Sequence, residues 1–120
     1  MITKMILAVA LTAAFSTAAH AQDHCTPIQF ARGASSATVK GTARSDEPFA
    51  CFTLATGKGQ TVTLKLVEGP KDDAAFTIPG VVDDHDAYTF KTDAKTYTII
   101  VFRTFAREAD EPFTLQVSVK

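Results

Sequence analysis

Two arginines four residues apart, Arg103 and Arg107, flank an aromatic side chain, Phe105, in the segment Phe102-Arg103-Thr104-Phe105-Ala106-Arg107-Glu108. A guanidinium is a planar fork of donors suited to carboxylates. An exposed phenylalanine between two such forks would be the apolar anchor of an interface with an acidic partner. The same residues also suit a plain hairpin loop whose arginines pair with the chain's own Asp110 and Glu111. Composition leaves both readings open. If both arginines serve contact alone, replacing them with Ala changes stability by no more than about 1 kcal/mol, as exposed substitutions usually do.

The acidic run Asp83-Asp84-His85-Asp86, with Asp72 and Asp73 not far off in sequence, is the candidate metal site. Calcium would be the ion, since hard cations collect carboxylate and carbonyl oxygens, and Asp83, Asp84 and Asp86 would be its ligands. The run lacks the alternating acidic spacing and glycine of a calcium loop, and consecutive residues cannot all face one ion. A solvated acidic turn accounts for it better, and no metal or cofactor is expected. Zinc has only His24 and His85 to draw on beyond the leader, with nothing at ligand spacing. Hydrolytic chemistry has as little support. Ser35, Ser36 and Ser45 are not framed as a nucleophile elbow, and the same two histidines are the only bases a triad could use. A carboxylate pair for glycoside cleavage needs a deep cleft that a small domain lacks. The chain does not read as an enzyme.

Cys25 and Cys51 are the only cysteines. In an oxidising compartment an even pair forms a disulfide, and closing this loop would contribute about 3 kcal/mol. The N-terminus points to such a compartment. Lys4 precedes an apolar run from Met5 to Phe15, and Ala19-His20-Ala21 fits the small-x-small cleavage pattern. The apolar run is shorter than the roughly 20 residues a membrane span requires. Residues 1–21 therefore read as a signal peptide and residues 22–120 as one domain of 120 − 21 = 99 residues, periplasmic or secreted. Gln22-Asp23-His24 before Cys25 does not suit lipoprotein processing. Without Lys4 the 12 basic residues become 11 against 13 acidic, a net charge of −2. That balance excludes general attraction to nucleic acid or anionic lipid.

These side chains must be carried by strands, because the dominant period is two. Val62, Leu64 and Leu66 alternate with Thr61, Thr63 and Lys65, and Phe113, Leu115, Val117 and Val119 alternate with polar neighbours. Both are antiparallel strands with one wet face. Tyr97 to Phe102 is apolar on both faces and reads as a central strand. Further strands are expected over 26–31, 36–43, 49–55, 74–78 and 87–92. Gly57-Lys58-Gly59-Gln60 is read as a tight hairpin, Asp93-Ala94-Lys95 as another connection between strands, and residues 68–73 and Pro79-Gly80 as longer loops. No window has helical spacing. The expected fold is all-β: a single antiparallel β-sandwich of seven to eight strands.

Three short elements carry a family resemblance. They are Phe30-x-x-Gly33-x-Ser35-Ser36-Ala37-x-x-x-Gly41, Lys58-Gly59-Gln60 before an alternating strand, and Arg103-x-x-Ala106-Arg107 before the last strand. Together they resemble the periplasmic inhibitors of goose-type lysozyme and their relatives acting on invertebrate-type lysozyme. These are small exported β-sandwiches, similar in pattern to the pre-peptidase C-terminal-like domains of secreted bacterial peptidases. The resemblance implies a lysozyme as protein partner and no catalysis. It implies that Arg103 and Arg107 enter the enzyme's cleft, where a guanidinium among catalytic and sugar-binding acids would block substrate. Phe105 as added apolar contact is a reading of this sequence, not of the family. The chain departs from the pattern in several places. It has Ser45-Asp46-Glu47 where the family has an aromatic, with Phe49 nearest, and Phe52 where a Tyr is common. It has acids (Glu108, Asp110, Glu111) after the arginines, and its cysteine pair has no counterpart in the pattern. The other functional class open to such a sandwich is a carbohydrate- or peptide-binding module of the envelope, calcium-assisted through Asp83, Asp84 and Asp86.

Overall fold

The computed structural model describes residues 25–68, 73–105 and 109–120. The expected signal peptide, Asp72 and Arg107 lie outside them. Among the described residues nine strands form: β1 (Thr26–Pro27), β2 (Ser36–Ala43), β3 (Ala50–Thr56), β4 (Thr61–Glu68), β5 (Ala74–Ile78), β6 (Val82–His85), β7 (Ala87–Lys91), β8 (Lys95–Arg103) and β9 (Glu111–Val119). They make two facing sheets, one ordered β1-β3-β8-β5-β6 and the other β2-β9-β4-β7. The all-β sandwich is as expected, with two differences. The run Val82–His85, read as part of an acidic turn, is a ninth strand. The expected 26–31 strand shrinks to two residues and pairs with β3 in parallel, the one non-antiparallel pairing among the described strands. Pro27 has no N–H to give a ladder, which keeps so short a segment at the edge.

The alternation read in the sequence is the alternation that packs. Val62 and Leu64 of β4, and Phe113, Leu115 and Val117 of β9, are buried, with Leu66 and Val119 packed at the margin. The other sheet meets them with Phe52, Leu54, Phe76, Ile78, Tyr97, Ile99 and Val101. β8 is central as expected, between β3 and β5. Gly41, opposite Phe113 in the ladder, has a packing reason. A Cβ there would lie 2.9 Å from Cζ of Phe113 and 3.7 Å from Cζ of Phe52. Those two rings meet edge to face at 6.2 Å. The missing side chain lets two aromatics share the space between the sheets.

Only β5 and β6 are consecutive strands that neighbour each other in one sheet; every other connection between successive described strands passes from one sheet to the other. The two turns expected to join strands locally are both such crossings. Gly57–Gln60 carries the chain from β3 to β4, and Asp93-Ala94 carries it from β7 to β8. They lie side by side and are sewn together. Gly59 N–H donates to the Thr92 carbonyl at 2.8 Å, and Thr92 N–H to the Gln60 carbonyl at 2.9 Å. The Thr92 hydroxyl accepts from Gln60 N–H at 3.1 Å and donates to the Gly57 carbonyl at 2.6 Å. Gly59 holds φ +80°, the left-handed region that suits glycine. The short turn at Pro79-Gly80 is the true hairpin, closed by Val81 N–H on the Ile78 carbonyl at 2.8 Å.

Cys25 and Cys51 form the expected disulfide, with Cα atoms 4.5 Å apart and a separation of 26 in sequence. It fixes β1 to β3 and, next to it, seats Ile28 in the core. Two outcomes follow from these links. Replacing both cysteines with Ala should lower unfolding free energy by about 3 kcal/mol in denaturant titration, with loss of exchange protection at the Ile28 amide, which donates to the Thr53 carbonyl. Thr92, 4% exposed, should cost about 1–3 kcal/mol as Thr92→Val, because two backbone groups lose their partner. A melting temperature unchanged in Thr92→Val would mean that the turn-to-turn stitch contributes nothing to stability.

Candidate functional site

Position 103 has the parity of Tyr97, Ile99 and Val101, so β8 aims Arg103 between the sheets rather than into solvent. It is 7% exposed. The sequence-level expectation that both arginines project is therefore corrected for this one. The strand runs one residue further than the apolar run suggests, with Arg103 paired opposite Ala74, and alternation turns the side chain inward. Its apolar stem lies against the core while the guanidinium reaches the open end of the sandwich. There Nη1 donates to the Ala109 carbonyl at 2.8 Å and Nη2 to Oδ2 of Asp73 at 3.2 Å. Backbone bonds fix the same point: Arg103 N–H donates to the Arg44 carbonyl and Thr104 N–H to the Asp73 carbonyl, each at 2.8 Å.

Arg103 thus grips the far root of the segment that joins β8 to β9 and ties it to the residue before β5. A second arginine, not singled out from the sequence, ties the same segment to the β2–β3 loop. Arg44 donates through Nη1 to Asp110 at 3.0 Å, and through Nη2 to the Asp46 carboxylate at 3.1 Å. Its Nε donates to the Asp46 carbonyl at 3.3 Å. Asp110, expected as a partner for the loop arginines, is in fact held by Arg44. These exposed pairs are individually weak, but they share one guanidinium and bridge two loops. Only the position of Arg44, just past a buried strand end (Ala43), could have hinted at this role.

Between the two anchored roots stands Phe105, 57% exposed, one of two exposed large apolar side chains among the described residues. Arg107 lies outside the described residues. Beside the loop, Phe49 and Phe102 meet edge to face at 6.1 Å on the outer face of the larger sheet. The nearest aromatic to the family's loop position is therefore packed against the strand that leads into the arginine loop. Phe52, at the family's tyrosine position, is buried.

The acidic run is divided by its strand. Asp83 and Asp84 sit on β6, the edge of the larger sheet, and Asp86 lies at the bend into β7. Asp84 takes φ +59° and its N–H donates to the Thr77 hydroxyl at 3.3 Å. His85 Nδ1 is 2.8 Å from the Asp83 carbonyl oxygen, and its ring meets Tyr88 edge to face. Among the described residues no group of three histidines, cysteines or acids converges as metal ligands would. Charges on so short an edge strand discourage pairing with another chain. Asp84, His85 and Asp86 instead line a shallow recess with Ala74, Ala75 and Thr104. The acidic run is thus a flank of the loop end.

No family model matches the chain, and no curated protein matches it in sequence. Solved structures do. PliG of Aeromonas hydrophila, a periplasmic lysozyme inhibitor of g-type lysozyme, is 25% identical, with a TM-score of 0.62 over 80% of this chain and 96% of that one. PliG of Salmonella Typhimurium and a mutant of the Escherichia coli protein, both also periplasmic inhibitors of g-type lysozyme, are each 20% identical. Each has a TM-score of 0.59 over 79% of this chain and 96% of its own. At that identity the last two bear on the fold alone. Across about four-fifths of its length, the chain is similar in structure to the periplasmic inhibitors of g-type (goose-type) lysozyme, the resemblance its short motifs carry.

Proposed function

We propose that this protein is an exported, non-catalytic inhibitor of a g-type lysozyme, working in the periplasm after removal of residues 1–21. The observation that carries this is the likeness to the Aeromonas hydrophila inhibitor, which spans nearly all of that protein. It favours the g-type target over the invertebrate-type. In this reading the segment joining β8 to β9 is the inhibitory element and enters the enzyme's cleft. Phe105 supplies apolar contact, and Arg107 is the guanidinium offered to the cleft's carboxylates. Arg103 acts from behind, holding the root of the loop through Asp73 and the Ala109 carbonyl. A loop fixed at both ends loses less conformational freedom on binding than a slack one, so more of its contact energy appears as affinity.

Residual muramidase activity with purified protein in excess tests the reading, using g-, invertebrate- and chicken-type enzymes in parallel. Stoichiometric inhibition of the g-type enzyme is expected, and no inhibition of any class would reject it. The two arginines should then separate. Arg107→Ala should weaken inhibition at least tenfold, about 1.4 kcal/mol, with an unchanged melting temperature. Arg103→Ala should cost about 2 kcal/mol of stability, less than a fully buried pair because Asp73 keeps 38% of its side-chain exposure. Equal stability loss in both variants would contradict this division of labour.

A further inference from the structure

Among the described residues the two sheets leave four edges, at β1, β6, β2 and β7. An open edge offers unpaired backbone donors and acceptors to any extended chain, and proteins usually blunt it. Three of these edges are blunted. β1 is two residues long and contains Pro27. β6 is four residues long, carries Asp83 and Asp84, and its register with β5 is irregular. β7 has five residues and ends at the cross-linked turn around Thr92. β2 is different. It runs eight residues, Ser36–Ala43, in unbroken register with β9, without a proline or a bulge.

The phase of the β2–β9 ladder decides which backbone groups stay open. Val119 N–H donates to the Ser35 carbonyl, and Ser36 stands opposite Ser118. In an antiparallel pair the N–H and C=O of one residue point to the same side, and successive residues point to opposite sides. The odd-numbered residues of β2 therefore bond to β9, while Ser36, Thr38, Lys40 and Thr42 turn their backbone groups outward. The Arg44 carbonyl keeps this phase, reaching away from β9 to the N–H of Arg103 on β8. The same four residues carry exposed side chains, whereas Ala37 and Val39 pack on the core. Among the described residues no strand pairs with β2 on that open side.

We infer that this edge pairs with the β2 edge of a second copy of the chain, antiparallel about a two-fold axis. A strand that meets its own copy in this way makes an isologous contact, which closes as a dimer. Charge selects the register. With Val39 on the axis, Thr38 faces Lys40 of the second copy and Ser36 faces Thr42, so all four open residues find hydrogen-bonding partners. A slip of two residues one way sets Lys40 against Lys40, which like charge disfavours. The opposite slip leaves Thr42 facing Ala34, outside the strand. A slip of one residue would set core-facing side chains against the wet face. Because the paired strands run oppositely, the two arginine-loop ends lie at opposite ends of the joined sheet. On the inhibitor reading proposed above, one such dimer holds two enzyme molecules.

Sedimentation velocity of the exported protein, from micromolar to millimolar concentration, tests this. A monomer–dimer equilibrium is expected. Thr38→Lys should weaken it roughly tenfold, because it creates two like-charge pairs across the axis. Adding Lys40→Glu to Thr38→Lys should restore it, since those pairs then carry opposite charge. Both variants should keep the melting temperature of the unmodified protein and its effect on lysozyme. A monomer at every concentration would overturn the inference. So would a dimer that Thr38→Lys leaves unchanged, or one that the second substitution fails to restore. Lysozyme inhibition is measured separately, so a failure of pairing and a failure of the inhibitor reading are told apart.

Discussion

Apolar contact between the two sheets is the interaction on which everything else in this fold rests. Because nearly every connection crosses from one sheet to the other, successive strands are seldom joined by a ladder of backbone hydrogen bonds. They are joined by the side chains they bury against each other. Phe76, Leu54, Leu64, Ile78, Ile99 and Leu115 are fully buried in that layer. Apart from the β5–β6 hairpin, the bonds within each sheet link residues distant in sequence. The cross-linked turns around Thr92 and the Cys25–Cys51 bridge pin opposite parts of this arrangement. Both act where a crossing would otherwise leave backbone groups or a chain end without support.

The loop end inherits its order from that core. Arg103 is a core-facing position occupied by a cation, and its guanidinium converts the inward register of β8 into a grip on Ala109 and Asp73. Arg44, one residue past a buried strand end, performs a similar service from the neighbouring loop. Two arginines thus spend their donors on the chain itself, and what they hold out is a segment bearing Phe105. In the proposed inhibitor the residue that positions and the residue that contacts are different arginines of one short motif.

Charge follows a comparable logic at the scale of the whole molecule. The total is close to neutral, and alternation and register decide which charges become neighbours. Lysines scattered through β2, β4 and β7 share a face because alternation and register put them there. Most of the described acids fall in loops or on the short edge strand β6, while Glu68 and Glu111 stand at strand ends of this same sheet.

Much of this was legible in the chain. Period-two alternation in 61–67 and 112–119 marked their buried faces, and two-sided apolarity marked 97–102 as central. Two cysteines implied the bridge, and Gly57-Lys58-Gly59-Gln60 was recognisable as a turn. The orientation of Arg103 was also implicit, had the alternation of Tyr97, Ile99 and Val101 been carried one step past the last apolar residue. What the sequence could not decide was long-range. Turn residues specify that a chain reverses, not whether it returns to the same sheet, so two crossings looked like local strand connections. A four-residue strand of mostly polar residues has no buried face to give it a period, so β6 looked like a turn. The partners of Arg44 and Arg103 lie up to 66 positions away. Local propensity acts over a few residues, whereas register and sheet pairing are chosen by the burial of the whole core, and only the folded chain brings those charges within reach of one another.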